Sequence, residues 1–242
     1  EAYRREAYRH YLEDVGFDLL YDKSGMYDIL RGLVQGGRQA RELTWNWQFL
    51  GPLQPRMLCF LENHDEQRLA SPWFAGSASR GWAALAAAAL FNTAPLMLYF
   101  GQEVGEDAAE GAEGRTSIFD NCRPEGITAL HAHVHGKLSL TGDKSFIYNK
   151  YREVISLAAS PLFRRGKTWD LCYCNEQAPG FDPARHFVFL RYLDSGEQAL
   201  VFCNFSDAEA AVSIRLAPEF GGGTVSLQAA PWDFQIRHTG RG

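Results

Sequence analysis

The sequence predicts an α/β unit built on a parallel sheet or barrel, followed by a small all-β unit. Three observations carry this. Up to residue 160, short apolar runs alternate with amphipathic helical stretches, the sequence form of a parallel sheet. The run Met57 to Leu61 has no polar alternation, as a strand buried on both faces requires. After about residue 165 the pattern changes to short β-rich runs separated by turn signals such as Asp194-Ser195-Gly196 and Gly221-Gly222-Gly223. A chain of 242 residues admits one large domain or two ordinary ones. The change of pattern favours two, 1–163 and 164–242.

The elements follow in order. Residues 2–15 read as an amphipathic helix with Ala7, Tyr8, Tyr11, Leu12 and Val15 inward, stopped by Gly16. Phe17 to Tyr21 is a short strand. Met26 to Val34 is helical, with Ile29, Leu30, Leu33 and Val34 on one face, and 38–49 is a second helix carrying Trp45 and Trp47. The buried strand 57–61 comes next. Residues 81–102 carry no charged side chain, a length that can span a bilayer. However, Asn92, Thr93 and Pro95 interrupt the run, and Pro95 disfavours helix at Ala94. It therefore reads as a buried helix from Ser79 to Phe91, a turn, and a strand from Leu96 to Phe100, not a membrane span. Residues 101–145 read as irregular, and loops of that length are usually functional. Ile147 to Ala159 is the last amphipathic helix. The six β runs lie at 169–174, 186–193, 199–205, 211–216, 224–227 and 234–238, the pattern of an antiparallel sandwich.

Composition narrows the function. The net charge is −5 and the pI about 5.8, with no basic patch, so a nucleic-acid partner is not expected. Five cysteines make no disulfide scaffold and leave at least one unpaired. The first residue is Glu1, and the residues after it form no signal peptide. The chain is expected to be a fragment or a processed product, and its location is not legible.

The richest segment is Glu62-Asn63-His64-Asp65-Glu66-Gln67-Arg68. It begins where the buried strand ends, and active sites in parallel sheets and barrels lie at the carboxyl ends of strands. A second such end is Phe100-Gly101-Gln102-Glu103. A third candidate is His131-Ala132-His133-Val134-His135. If extended, its three imidazoles face one side and offer a zinc site, with solvated loop histidines as the plainer account. Cys172 and Cys174 are expected on one face of a strand as structural thiols. Asn204-Phe205-Ser206 is a formal glycosylation sequon that follows a buried-looking strand and reads as incidental.

Phe60-Leu61-Glu62-Asn63-His64-Asp65, followed by Arg68, resembles the seventh-strand motif of the α-amylase family, family 13 of the glycoside hydrolases. Pro95 to Gly105 resembles its eighth-strand segment. Arg115-Thr116-Ser117-Ile118-Phe119-Asp120 resembles a segment that follows that strand, and residues 186–206 resemble its C-terminal β-domain. The resemblance implies the C-terminal part of a (β/α)8 TIM barrel, strands six to eight, followed by an antiparallel β-sandwich.

The implied activity is retaining hydrolysis of α-1,4-linked glucans, with an oligosaccharide or polysaccharide as partner. Retention uses two carboxyls ~5–5.5 Å apart. By the motif, Asp65 is the carboxylate that stabilises the oxocarbenium-like transition state. His64 donates to sugar hydroxyls, and Arg68 reaches the next sugar. Glu1 fits the spacing of the acid/base, since Glu1-Ala2-Tyr3 begins a segment like the one after the fifth strand, with Arg4-Arg5 in place of Asn-Pro. Asn63, Tyr3 and Gln102 complete the expected substrate-binding set, and Tyr3, Trp45, Trp47 and Trp73 are candidates to stack on sugar rings.

No segment matches the family's nucleophile, which lies on the fourth strand two residues after an Arg. The chain alone is therefore expected to be inactive, with open edges on strands six and eight. The all-β part is expected to fold best by itself. No cofactor or metal is expected, because the family's calcium ligands come from an excursion after the third strand. Transglycosylation, a non-catalytic carbohydrate-binding homologue and a His₃ zinc hydrolase stay open as other functions.

Overall fold

The computed structural model describes residues 4–109, 112–116 and 124–239. The expected N-terminal helix is broken into a 3₁₀ turn at Arg5–Ala7 and a π-helix at His10–Val15. Tyr8 and Leu12 are buried in a small cluster with Leu20, Leu50, Leu53 and Met57. Val15, expected inward, stands exposed. Gly16 ends the helix in the left-handed region, φ 90°, which a residue without Cβ adopts freely.

Strand β1 is only Leu20–Tyr21, because Phe17 and Leu19 face solvent. A π-turn at Lys23–Tyr27 leads into α1 (Asp28–Val34), and α2 follows at Arg41–Leu50. Strand β2 is Met57–Phe60, and α3 is Trp82–Leu90. Every residue of α3 is buried, which accounts for the uncharged run without a membrane. Among the described residues no helix is long and apolar enough to cross one. Strand β3 is Leu96–Met97, shorter than expected. The strands form a three-stranded parallel sheet in the order β1-β2-β3, with Leu20 opposite Met57 and Cys59 opposite Leu96.

The stretch expected to be irregular contains a helix, α4 (Glu125–Val134), and α5 (Gly142–Ala159) starts five residues earlier than periodicity suggests. Only Gly126 and Leu130 of α4 are buried, so it carries almost no apolar stripe by which to read it. Pro161 then opens α6 (Pro161–Arg165) at its first position, where a missing N–H costs nothing.

The second half holds β4 (Lys167–Asp170), β5 (His186–Tyr192), β6 (Gln198–Asn204), β7 (Ala210–Arg215), β8 (Thr224–Ala229) and β9 (Phe234–His238). These pair antiparallel as a four-stranded sheet, β4-β5-β6-β9, and a two-stranded ribbon, β7-β8. The run expected at 169–174 divides. The Asp170 carboxylate accepts the Cys172 N–H at 2.7 Å and turns the chain into a 3₁₀ turn at Tyr173–Asn175. Cys172 and Cys174 therefore do not share a strand face; the first is buried and the second exposed.

One apolar core runs through both halves. Strands β5 and β6 are buried along almost their whole length. Phe91, just after α3, packs its ring 4.8 Å from Phe187 and 5.1 Å from Phe189. Arg191, fully buried, donates to the carbonyls of Phe91, Phe163 and Gly166 at 2.9, 2.7 and 2.6 Å. Asn204 is likewise buried and donates to three carbonyls, so the folded sequon is closed to modification.

Candidate active site

Strand β2 delivers the segment 62–68 to the carboxyl end of the parallel sheet. The buried groups there form a brace. Glu62 is 1% exposed and Arg68 0%. The Arg68 Nη1 donates to Glu62 Oε2 at 2.8 Å and to the Phe100 carbonyl at 2.9 Å, while its Nε donates to Thr116 Oγ1 at 2.7 Å. The guanidinium also lies 4.3 Å from the Tyr99 ring centre, within cation–π range. Glu62 Oε1 accepts the Leu69 N–H at 2.8 Å. Burial pushes the Glu62 carboxyl up to about 7 against the opposing charge of Arg68.

The turn above the brace is set by Asn63. Its Oδ1 accepts the backbone N–H groups of Asp65 and Glu66 at 2.9 and 2.8 Å, an Asx turn. This throws His64 and Asp65 outward. Both side chains are 61% exposed, with His64 Nε2 3.3 Å from Asp65 Oδ2. Arg115 Nε donates to the Asp65 carbonyl at 2.9 Å and holds the turn from the far side.

A lateral clamp fixes the next residue. Glu66 accepts from Tyr27 Oη at 2.9 Å and Arg31 Nη1 at 3.1 Å, and Lys23 Nζ stands 3.2 Å away. Sequence reasoning missed these three partners. Their spacing, 23, 27 and 31, is the signal that could have found them, since i and i+4 residues share a helix face. Arg31 also reaches the Trp73 carbonyl at 3.3 Å, so Trp73, 57% exposed, borders the same loop.

The expected site residues therefore separate. His64 and Asp65 are presented together. Arg68, expected to contact a sugar, lies fully buried below the turn, where its Nη1 and Nε hold Glu62, the Phe100 carbonyl and Thr116. Asn63, 1% exposed, shapes the loop and offers no surface to a ligand. Gln102 is also buried, donating to Tyr151 Oη at 2.9 Å at the end of the eighth-strand-like segment. Glu103 accepts the Gly101 N–H at 2.9 Å. Glu1, Tyr3 and Ser117 to Asp120 lie outside the described residues. Trp47 packs against the core with its ring 5.9 Å from Phe91, and Trp45 lines a pocket that includes none of residues 62–68.

The three histidines lie on and just after α4, not on an extended segment. His131 and His135 share a face, with ring centres 4.4 Å apart. His133 points elsewhere, 5.3 Å from the Tyr148 ring. The helix period breaks the three-imidazole arrangement that a strand would make. Among the described residues no three His, Cys, Asp or Glu side chains converge to hold a metal ion.

Three solved structures place this architecture among known folds. A maltogenic α-amylase from Thermotoga neapolitana matches with a TM-score of 0.58 and 17% identity over 95% of this chain and 50% of that one. A debranching enzyme from Nostoc punctiforme matches at 0.60 and 18%, over 94% of this chain and 49% of that one. An α-amylase from H. orenii matches at 0.57 and 16%, over 90% and 44%. At these identities the likeness is one of fold, and the chain spans about half the length of each structure. No family model and no curated protein matches the sequence.

Proposed function

We propose that this chain is the C-terminal portion of an α-amylase-like glycoside hydrolase, acting on α-1,4-linked glucans and organised as the end of a (β/α)8 barrel with a β-sandwich domain. The observation that carries the reading is the braced turn after β2. Buried Glu62, Asn63 and Arg68 shape it, Glu66 clamps it, and it offers one imidazole and one carboxylate side by side to solvent. A sugar-binding cleft uses that pairing directly. The imidazole donates to ring hydroxyls, and the ionised carboxylate stabilises positive charge developing at the anomeric carbon.

In this reading Asp65 is the charge-stabilising carboxylate, His64 binds hydroxyls, and Trp73 offers a ring face beside them. Glu1 is proposed as the acid/base, worth ~10²–10⁴-fold in rate. Hydrolysis itself is proposed only for a catalytic unit that also holds the nucleophile.

The test is isothermal titration of the chain with maltoheptaose. His64→Ala and Asp65→Asn are expected to weaken binding about tenfold each, with circular dichroism unchanged. Affinity in both variants equal to that of the parent overturns the reading.

A further inference from the structure

A second pocket lies where α2 meets the turn after β4. It encloses about 240 Å³ and is lined by Arg41, Thr44, Trp45, Cys172, Tyr173 and Glu176. None of these belongs to the segment 62–68. Its floor is rigid: the Thr44 hydroxyl donates to the Asp170 carboxylate, which also takes the Cys172 N–H at 2.7 Å. Its walls are two large aromatics from different elements, Trp45 at 53% and Tyr173 at 56% exposure. Rings of this size are usually covered on at least one face, and paired at a cavity they mark a contact surface. Arg41 stands at the rim with its Nε buried and without a hydrogen-bond partner among the described residues. Glu176 stands exposed in the same lining.

The chemistry selects the occupant. A cation held by ring faces is opposed by Arg41, and an anion is opposed by Glu176. A pyranose is neutral, with C–H faces that lie on Trp and Tyr rings and a rim of hydroxyls that both accept and donate. Arg41 has only donors and a carboxylate only acceptors, so the two together satisfy such a rim. The cavity is below the range of a drug-sized site, which limits it to a short stretch of chain. The geometry points to a carbohydrate-binding site here, separate from the candidate active site, that holds a sugar unit of a glucan. The choice of a glucan rests on the function proposed above; the two aromatic walls and the paired charges do not.

The experiment is titration with maltoheptaose, with adenosine as a flat aromatic control. Five proteins are compared: the parent chain, Trp45→Ala/Tyr173→Ala, Trp45→Phe, His64→Ala/Asp65→Asn and the variant that combines the two double substitutions. The expected result is that His64→Ala/Asp65→Asn still binds one equivalent of sugar. That equivalent is lost, or weakened at least tenfold, when Trp45→Ala/Tyr173→Ala is added, and Trp45→Phe stays within threefold of the parent. Both replaced aromatics are half-exposed, and circular dichroism confirms the fold. Binding unchanged by Trp45→Ala/Tyr173→Ala, or adenosine held more tightly than the sugar, overturns the site. If the aromatic variant alone abolishes binding while His64→Ala/Asp65→Asn has no effect, this site stands and the reading of the turn after β2 fails.

Discussion

Glu62 and Arg68 form a fully buried ion pair beneath the two exposed residues of the candidate site. Removing one partner of such a pair strands the other charge. Arg68→Met is therefore expected to lower stability by ~3–5 kcal/mol, and Glu62→Gln added to it to recover part of the loss. Urea denaturation measures both. The pair also sets a pH dependence. The Glu62 carboxyl is raised from its ordinary 4.5 to about 7, so the folded state keeps a proton that the unfolded chain releases. Its stabilisation is full below about 4.5 and is lost as pH rises through about 7. The stability of the parent relative to Glu62→Gln should thus fall between pH 5 and pH 8. A difference curve that is flat, or that rises, contradicts this. Comparison with the single variant matters because Asp22 and Asp170, also raised by burial, slope the same way, while buried His186, lowered, slopes the other. At this scale the motif exposed the residues but not their roles. Seven residues in a row named the site, yet side-chain burial alone divided His64 and Asp65 from Arg68 and Asn63.

Whole elements were legible where apolar periodicity was strong. Strand β2, α3 and strands β5 to β9 lie within a few residues of their expected places. The elements that escaped are those whose signal is polar. Helix α4 buries only Gly126 and Leu130, and its His-rich sequence suits a strand, a loop or a helix equally well by pattern. The π-turn at Lys23–Tyr27 was also invisible, because its reason is a close approach that no periodicity records. A Cβ on Gly25 would stand 2.1 Å from Asp22 Oδ1 and 2.5 Å from Asn46 Oδ1. That carboxylate already takes the Asn46 amide at 3.0 Å, tying the end of β1 to α2. Gly25→Ala should force these groups apart at a cost of ~1–3 kcal/mol, the usual range for overpacking. Because the same turn carries Lys23 and Tyr27, the variant should also loosen the clamp on Glu66. A lowered urea midpoint, with faster hydrogen exchange at the Asp65 and Glu66 amides, is the expected result.

At the scale of the molecule, the change of pattern near residue 164 is plain in the sequence, but the apolar core does not divide there. Periodicity reports which faces are apolar and not what covers them. Strands β5 and β6 read only as runs of a small sandwich, and they are buried along almost their whole length. One of their covers is Phe91 from the first half, held between Phe187 and Phe189 and touching Trp47. Arg191 stitches the same junction with carbonyls from the residue after α3, from α6 and from the link to β4. If this junction couples the two halves, Phe91→Ala removes a keystone common to both and should cost ~3–5 kcal/mol. Trp fluorescence, sensitive to Trp47, and far-ultraviolet circular dichroism, dominated by both halves together, should then give coincident unfolding curves in the parent and in the variant. A β portion that melts independently predicts the opposite: two transitions, with Phe91→Ala moving only one of them. The coincident outcome is favoured because residues 164–242 taken alone would expose the Phe187 and Phe189 rings that Phe91 now covers. The buried Arg191 hydrogen bonds to the Phe91 and Phe163 carbonyls would be lost in the same step.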